Sequence, residues 1–181
     1  PCMACSAGSC VGLYTANTMA VVTEVLGMSL TKCATTLALN PLKKKQAYET
    51  GKKIVELVKK NIKPRDIMTK NAFENAIRVD MAMGGSTNTV LHIPSIARET
   101  NINITPNDFD KISREVPNIC HIIPVGTYEM LDVDKAGSIQ GVLNRLKGML
   151  KNSITVNGKT IKEIAENGKV TNDEVIRPLN R

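Results

Sequence analysis

The chain has 181 residues, 42% of them hydrophobic, and 24 Lys and Arg against 17 Asp and Glu give a formal net charge of +7. That is enough apolar material for the core of one domain, so a disordered polymer is excluded, and no apolar run approaches the ~20 residues that span a bilayer. With three Tyr, two Phe and no Trp, the core falls to Ile, Val, Leu and Met, and a single-strand nucleic-acid reader would lack its stacking platforms.

The chain opens in mid-motif, with no signal-peptide layout and no initiator methionine, as an internal fragment would. Five cysteines, an odd number without a secretory leader, read as reduced thiols in the cytoplasm. Cys2, Cys5 and Cys10 have a spacing that a metal site can use, but three do not complete a four-cysteine set. Cys10 lies between Gly8 and Gly12, where a Gly/Ser/Cys-rich loop passes into a helical pattern expected over residues 10–26 and ended by Gly27. Glycines allow close approach of the backbone, and free N–H groups at a helix start favour thiolate. Taken on its residues alone, Cys10 is either a ligand or a buried thiol.

Residues 29–41 read as a connection. Pro41 then opens a helix to residue 62, with Ile54, Val58 and Ile62 as its inner stripe and the lysine pairs and triplet on the other face. Tyr48 alone interleaves those lysines, so the basic face reads as solvated rather than as a polyanion site. Thr69 is the expected N-cap of a helix to Met83, with Phe73, Ile77 and Met81 inward and Gly84-Gly85 as its stop. A helix kinked by Pro94 follows over residues 86–100, and Thr105-Pro106 opens another.

Residues 119–123, between two prolines, read as a buried strand, and residues 128–150 as one helix or two broken near Gly137 and Gly141. Asn157-Gly158 is a hairpin-turn dipeptide, which removes Gly158-Lys159-Thr160 from consideration as a phosphate loop, since Ser153 stands where that loop needs glycine. A short helix to Asn167 and a strand from Val175 complete the pattern. The expected class is α/β: a helix-rich layered fold around a short, mostly parallel sheet.

Bland readings cover most other chemistry-bearing residues. Residues 84–88 combine glycines with hydroxyls at a helix start, a pattern that can hold an anion, though a capped helix after a tight turn is the plainer account; Asp80 could join that polar cluster. His92 reads as packed or capping, Cys33 and Cys120 as buried thiols, and Met19, Met28, Met81, Met83 and Met130 as core filler. Asp132 and Asp134, two apart on a helix, do not face each other.

Residues 10–19 and 24–30 resemble the third cluster-cysteine segment of the dihydroxy-acid dehydratases, within the wider dihydroxy-acid and phosphogluconate dehydratase family. The likeness continues through residues 62–69, 72–80, 84–92, 134–137, 158–160 and 175–179. It implies that residues 1–181 form the middle and later part of the N-terminal α/β domain, without its start and without the C-terminal domain. By the same resemblance Cys10 is a ligand to iron in an iron–sulfur cluster, two-iron or four-iron, whose other two cysteines precede residue 1. Cys2 and Cys5 receive no ligand role.

The implied activity is a hydro-lyase of branched-chain amino-acid synthesis, taking 2,3-dihydroxy acids to 2-keto acids. The intact enzyme would use Mg2+, a serine base and a homo-oligomeric assembly, with no nucleic-acid or membrane partner. The magnesium ligands and the base fall outside this stretch, so no catalytic residue is assigned within it. The alternatives are a sugar-acid dehydratase of the same family, a stand-alone metal-binding module using Cys2, Cys5 and Cys10, or a structural domain docking through the polybasic helix.

Overall fold

A computed structural model describes residues 4–6 and 8–180. Among them, nine helices surround one continuous apolar core, and the strands are confined to a short antiparallel ribbon, β1 (Ala4–Ser6) with β2 (Ser9–Cys10). The helices are α1 (Thr15–Val25), α2 (Pro41–Lys59), α3 (Pro64–Ile67), α4 (Lys70–Met83), α5 (Thr89–Glu99), α6 (Pro106–Glu115), α7 (Met130–Ala136), α8 (Ser138–Leu146) and α9 (Ile161–Asn167). None is long and apolar enough to cross a membrane.

The organising element is α4. Thr69 Oγ1 accepts the Ala72 N–H at its start, and Gly84, in the left-handed region at φ +70°, closes its end. Phe73, Ala76, Ile77, Val79 and Ala82 are all fully buried. A helix buried on nearly every side must be covered on nearly every side, and α1, α6 and α8 supply that cover. Its buried polar groups are mostly matched: Asn75 exchanges hydrogen bonds with the backbone of Lys151, and Arg78 lies between Glu74 and Glu115. Asp80 and Arg78 are the exceptions: one Asp80 carboxylate oxygen and Arg78 Nη1 lack a hydrogen-bond partner.

Two expectations need correction. The mostly parallel sheet is absent among the described residues. Residues 119–123 spend their backbone groups on several neighbours: Ile119 N–H donates to Ala82 O, Ile119 O accepts from Arg177, Ile123 N–H donates to Tyr128 O and Ile123 O accepts from Leu13. A strand so divided forms an isolated bridge, Ile122 with Tyr128, and no ladder. Val175 and Ile176 are buried in a turn rather than a strand.

The second correction concerns α2. Ile54 and Val58 are exposed, and Leu57 is the residue this helix buries. Elsewhere the expected punctuation holds. Gly137 separates α7 from α8, Pro94 sits inside α5, and the Thr160–Glu163 capping box opens α9 after a turn closed by Gly158 at φ +75°.

Candidate functional site

Cys10 is not at a helix N-terminus. It ends β2, and α1 starts only at Thr15; between them the chain bends at Val11 and Gly12 and bonds to two other segments. Leu13 N–H donates to Ile123 O at 2.7 Å, and Met130 N–H donates to Val11 O at 2.9 Å. From the first turn of α1, Asn17 Nδ2 donates back to Cys10 O (3.2 Å) and Gly12 O (2.7 Å). The segment is therefore gripped through its backbone on three sides, which leaves the thiol half-buried at the edge of a cleft.

Gly12 makes the grip possible. A Cβ there would lie 2.4 Å from Ile123 O, a backbone atom that cannot swing aside. Gly12→Ala is expected to lower stability by about 2 kcal/mol, the cost of overpacking against backbone, and chemical denaturation of the two proteins would measure it.

The cleft holds about 380 Å³ and is lined by Cys10, Asn17, Cys33, Thr35, Lys43 and Met130 among others. Its far wall is the loop after α1, and the buried Glu24 holds that loop down. The Glu24 carboxylate accepts N–H bonds from Lys32 (2.8 Å) and Ala34 (2.9 Å) and an amide bond from Gln140 (2.5 Å). Burial still raises the Glu24 pKa against these bonds. Lys43 reaches from α2 to Cys33 O at 2.6 Å. On the same wall Thr35 Oγ1 donates to Asp134 Oδ1 (2.5 Å) and meets Ser138 Oγ (2.7 Å).

The sequence reading placed Cys33 in the core, but it is half-buried in this wall. Burial, then the nearby Glu24 charge, push its thiol pKa up. A thiol held protonated is a weak metal donor and a weak nucleophile. Cys120, in the core as expected, is pushed up to about 12 by burial. Cys2 lies outside the described residues, and Cys5 is placed only by its backbone in β1. Among the described residues no three His, Cys, Asp or Glu side chains come together as a metal site.

The Gly-Gly-Ser-Thr-Asn turn is brought to the same end of α1. Thr15 Oγ1 lies 3.0 Å from Ser86 Oγ and accepts from Asn88 Nδ2 at 2.7 Å, while Thr18 Oγ1 accepts the Ser86 N–H. Behind them Thr89 Oγ1 donates to Asp80 Oδ2 at 2.7 Å. So Asp80 does join the polar cluster, and the starts of α1 and α5 meet there. The turn needs glycine, since a Cβ on Gly85 would sit 2.0 Å from Asp80 Oδ1. Burial pushes the Asp80 carboxyl up to about 6, against the single hydrogen bond from Thr89.

Other candidates fall away. His92 and His121 are solvent-exposed rather than packed. Asp132 caps α7 by accepting the Glu129 N–H, and Asp134 is held by Thr35 instead of lying free in solvent. Sequence reasoning missed Asn17, Thr35 and Glu24 because each works through contacts with backbone or with residues far along the chain. Only Asn17, five residues from Gly12 in a helix's first turn, offered a local signal.

Comparison with known proteins bears on this arrangement directly. Residues 1–164 match the profile of the dihydroxy-acid/6-phosphogluconate dehydratase N-terminal region. The chain is 55% identical over 179 residues to a dihydroxy-acid dehydratase of Methanococcus maripaludis, covering 98% of this chain and 32% of that protein. It is 54% identical over 181 residues to one from Methanobrevibacter smithii (99% and 33%) and 51% identical over 173 residues to one from Geobacter metallireducens (96% and 31%). It thus spans about a third of the length of the curated relatives it matches. The chain belongs to the dihydroxy-acid/6-phosphogluconate dehydratase family.

Proposed function

We propose that this chain is part of a dihydroxy-acid dehydratase, a hydro-lyase that converts 2,3-dihydroxy acids to 2-keto acids in branched-chain amino-acid synthesis. The observation that carries the reading is its identity to proteins of that name along nearly its whole length. Within the chain, Cys10 supplies one thiolate to an iron–sulfur cluster. The donor chemistry fits: a soft sulfur at a cleft edge, on a backbone fixed by Asn17 and Gly12, suits one corner of a cluster whose remaining donors lie outside these residues.

A cluster held in part by Cys10 would supply Lewis acidity toward the 3-hydroxyl leaving group. This chain's own part is positional. Asn17 fixes the strand that presents the sulfur, and Glu24 holds down the loop that forms the cleft's far wall. Burial and the Glu24 charge disfavour the thiolate of Cys33. The magnesium ligands and the serine base come from other parts of the intact protein, which works as a homo-oligomer in the cytoplasm.

The test is a dehydratase assay on the intact protein, purified without oxygen, with a 2,3-dihydroxy acid and magnesium. Turnover to the 2-keto acid is expected. The 181-residue polypeptide alone, given iron, sulfide and magnesium, is expected to give none. Activity in the isolated chain, or failure of the intact protein on every dihydroxy acid, would refute the assignment.

A further inference from the structure

The longest of the described helices, α2 with 19 residues, buries one of them, Leu57. A helix owes most of its stability in water to the face it packs, and α2 has a second apolar face that packs on nothing. Tyr48, Gly51, Val55 and Val58 follow at steps of three, four and three, the spacing of helices that dock along a seam. Tyr48, Val55 and Val58 are 67%, 52% and 72% exposed. Ala47, Tyr48, Gly51 and Val55 line a shallow depression of about 530 Å³, with Lys52 and Lys59 also in its lining, so side chains of another segment have room there.

Gly51 adds a separate observation. Glycine in mid-helix is less stable than alanine, and among the described residues nothing calls for it, since a Cβ there would meet nothing within 4 Å. What the missing Cβ permits is close approach of another backbone.

Charge narrows the choice of occupant. α2 carries six lysines and two glutamates, and Glu49 and Glu56 already pair with Lys52 and Lys53 of the same helix. Two copies of this helix face to face would set lysine against lysine, which opposes association. An acidic helix meets no such penalty. Chain to supply one exists, because about two thirds of each curated relative lies outside the stretch matched here.

We infer that the face of α2 over residues 48–58 is the docking site of an acidic amphipathic helix from the same polypeptide, outside residues 1–181. That helix crosses α2 at Gly51 and sets its carboxylates beside Lys52 and Lys59. The inference needs the intact protein to have the length of its relatives and does not depend on the cluster or the reaction, so either can fail without the other.

The experiment uses the intact protein with Gly51→Leu and, separately, Val55→Cys. On an uncovered α2, leucine at 51 has open space and is the better helix former, so Tm would rise. With a helix seated there it clashes, and a fall of at least ~3 °C is expected. Maleimide labelling of Val55→Cys, read on its peptide by mass, is expected to be at least about tenfold slower in the folded protein than in urea. Carbodiimide cross-linking is expected to join Lys52 or Lys59 to an Asp or Glu outside residues 1–181. In protein assembled from mixed light- and heavy-nitrogen chains, those links stay within one chain. If Gly51→Leu does not fold, the labelling and the cross-links decide. A Tm at or above native for Gly51→Leu, free labelling of Val55→Cys in the folded protein, or links between light and heavy chains, as a second copy would give, each overturns the inference.

Discussion

Cys10→Ser in the intact protein is expected to abolish the visible absorption of the iron–sulfur centre and to cut dehydratase turnover at least about a hundredfold, beyond the loss typical of disturbing a ligand's supporting contacts. The hydroxyl is a hard donor that holds its proton at neutral pH, so it replaces the shape of the thiol and little of its affinity for iron. The substitution should leave the fold intact, because the segment is held through the Cys10 carbonyl, the Val11 carbonyl and the Leu13 N–H. Circular dichroism of the cluster-free proteins checks that. Cys33→Ser is the contrast, since Cys33 lines the same cleft but has its thiol pKa raised by burial and by Glu24. It should keep both cluster and turnover. Retention of the cluster by Cys10→Ser, or its loss in Cys33→Ser, would reverse the roles given to the two thiols.

How much of this was readable beforehand depended on whether the cause was local. The ends of α4 were legible because Thr69 and Gly84 act within a few residues of themselves, through a hydroxyl cap and a left-handed φ. The start of α6 at Thr105–Pro106 was legible for the same reason. The inner face of α2 was not. Ile54 and Val58 are four apart and as apolar as a core stripe, yet Leu57 is the residue buried, with Ile54 exposed at the rim of the groove it shares with Met28 and Ile62 and Val58 outside it. A period identifies a helix, while only tertiary contact selects its buried side. Residues 119–123 failed similarly: strand-like composition does not show whether a backbone's hydrogen bonds go to one neighbour or to four. At the site, Cys10 and the Gly-Gly-Ser turn were each visible as motifs. Their convergence on the start of α1, through Asn17 on one side and Thr15 on the other, spans 71 residues between Thr15 and Ser86 and had no local trace.

Asp80→Asn is expected to stabilise the protein at neutral pH, by up to about 3 kcal/mol. The carboxyl is 2% exposed, one oxygen takes the Thr89 hydroxyl, and the other has no hydrogen-bond partner. Its pKa rises from 3.8 to about 6 on folding, and a rise of about two units corresponds to roughly 3 kcal/mol between the two protonation states. The folded state therefore holds this proton more tightly than the unfolded chain does. The associated stability is complete below pH 3.8, is lost as pH climbs towards 6, and is gone above that. An amide has no charge to bury, and its oxygen can still accept from Thr89. Urea unfolding of both proteins at several pH values isolates the effect. The capping carboxylates Asp108 and Glu163, whose pKa values are lowered, pull the other way as pH falls, but they are common to both proteins and cancel in the difference. That difference should be smallest near pH 4 and grow in favour of the Asp80→Asn protein by pH 7; a pH-independent difference would mean that Asp80 is ionised at no cost. A gain would also explain why the carboxylate matters. It sits against Gly85, beneath the turn that joins α5 to the start of α1, and a protein that keeps a destabilising charge there is keeping it for what that turn does.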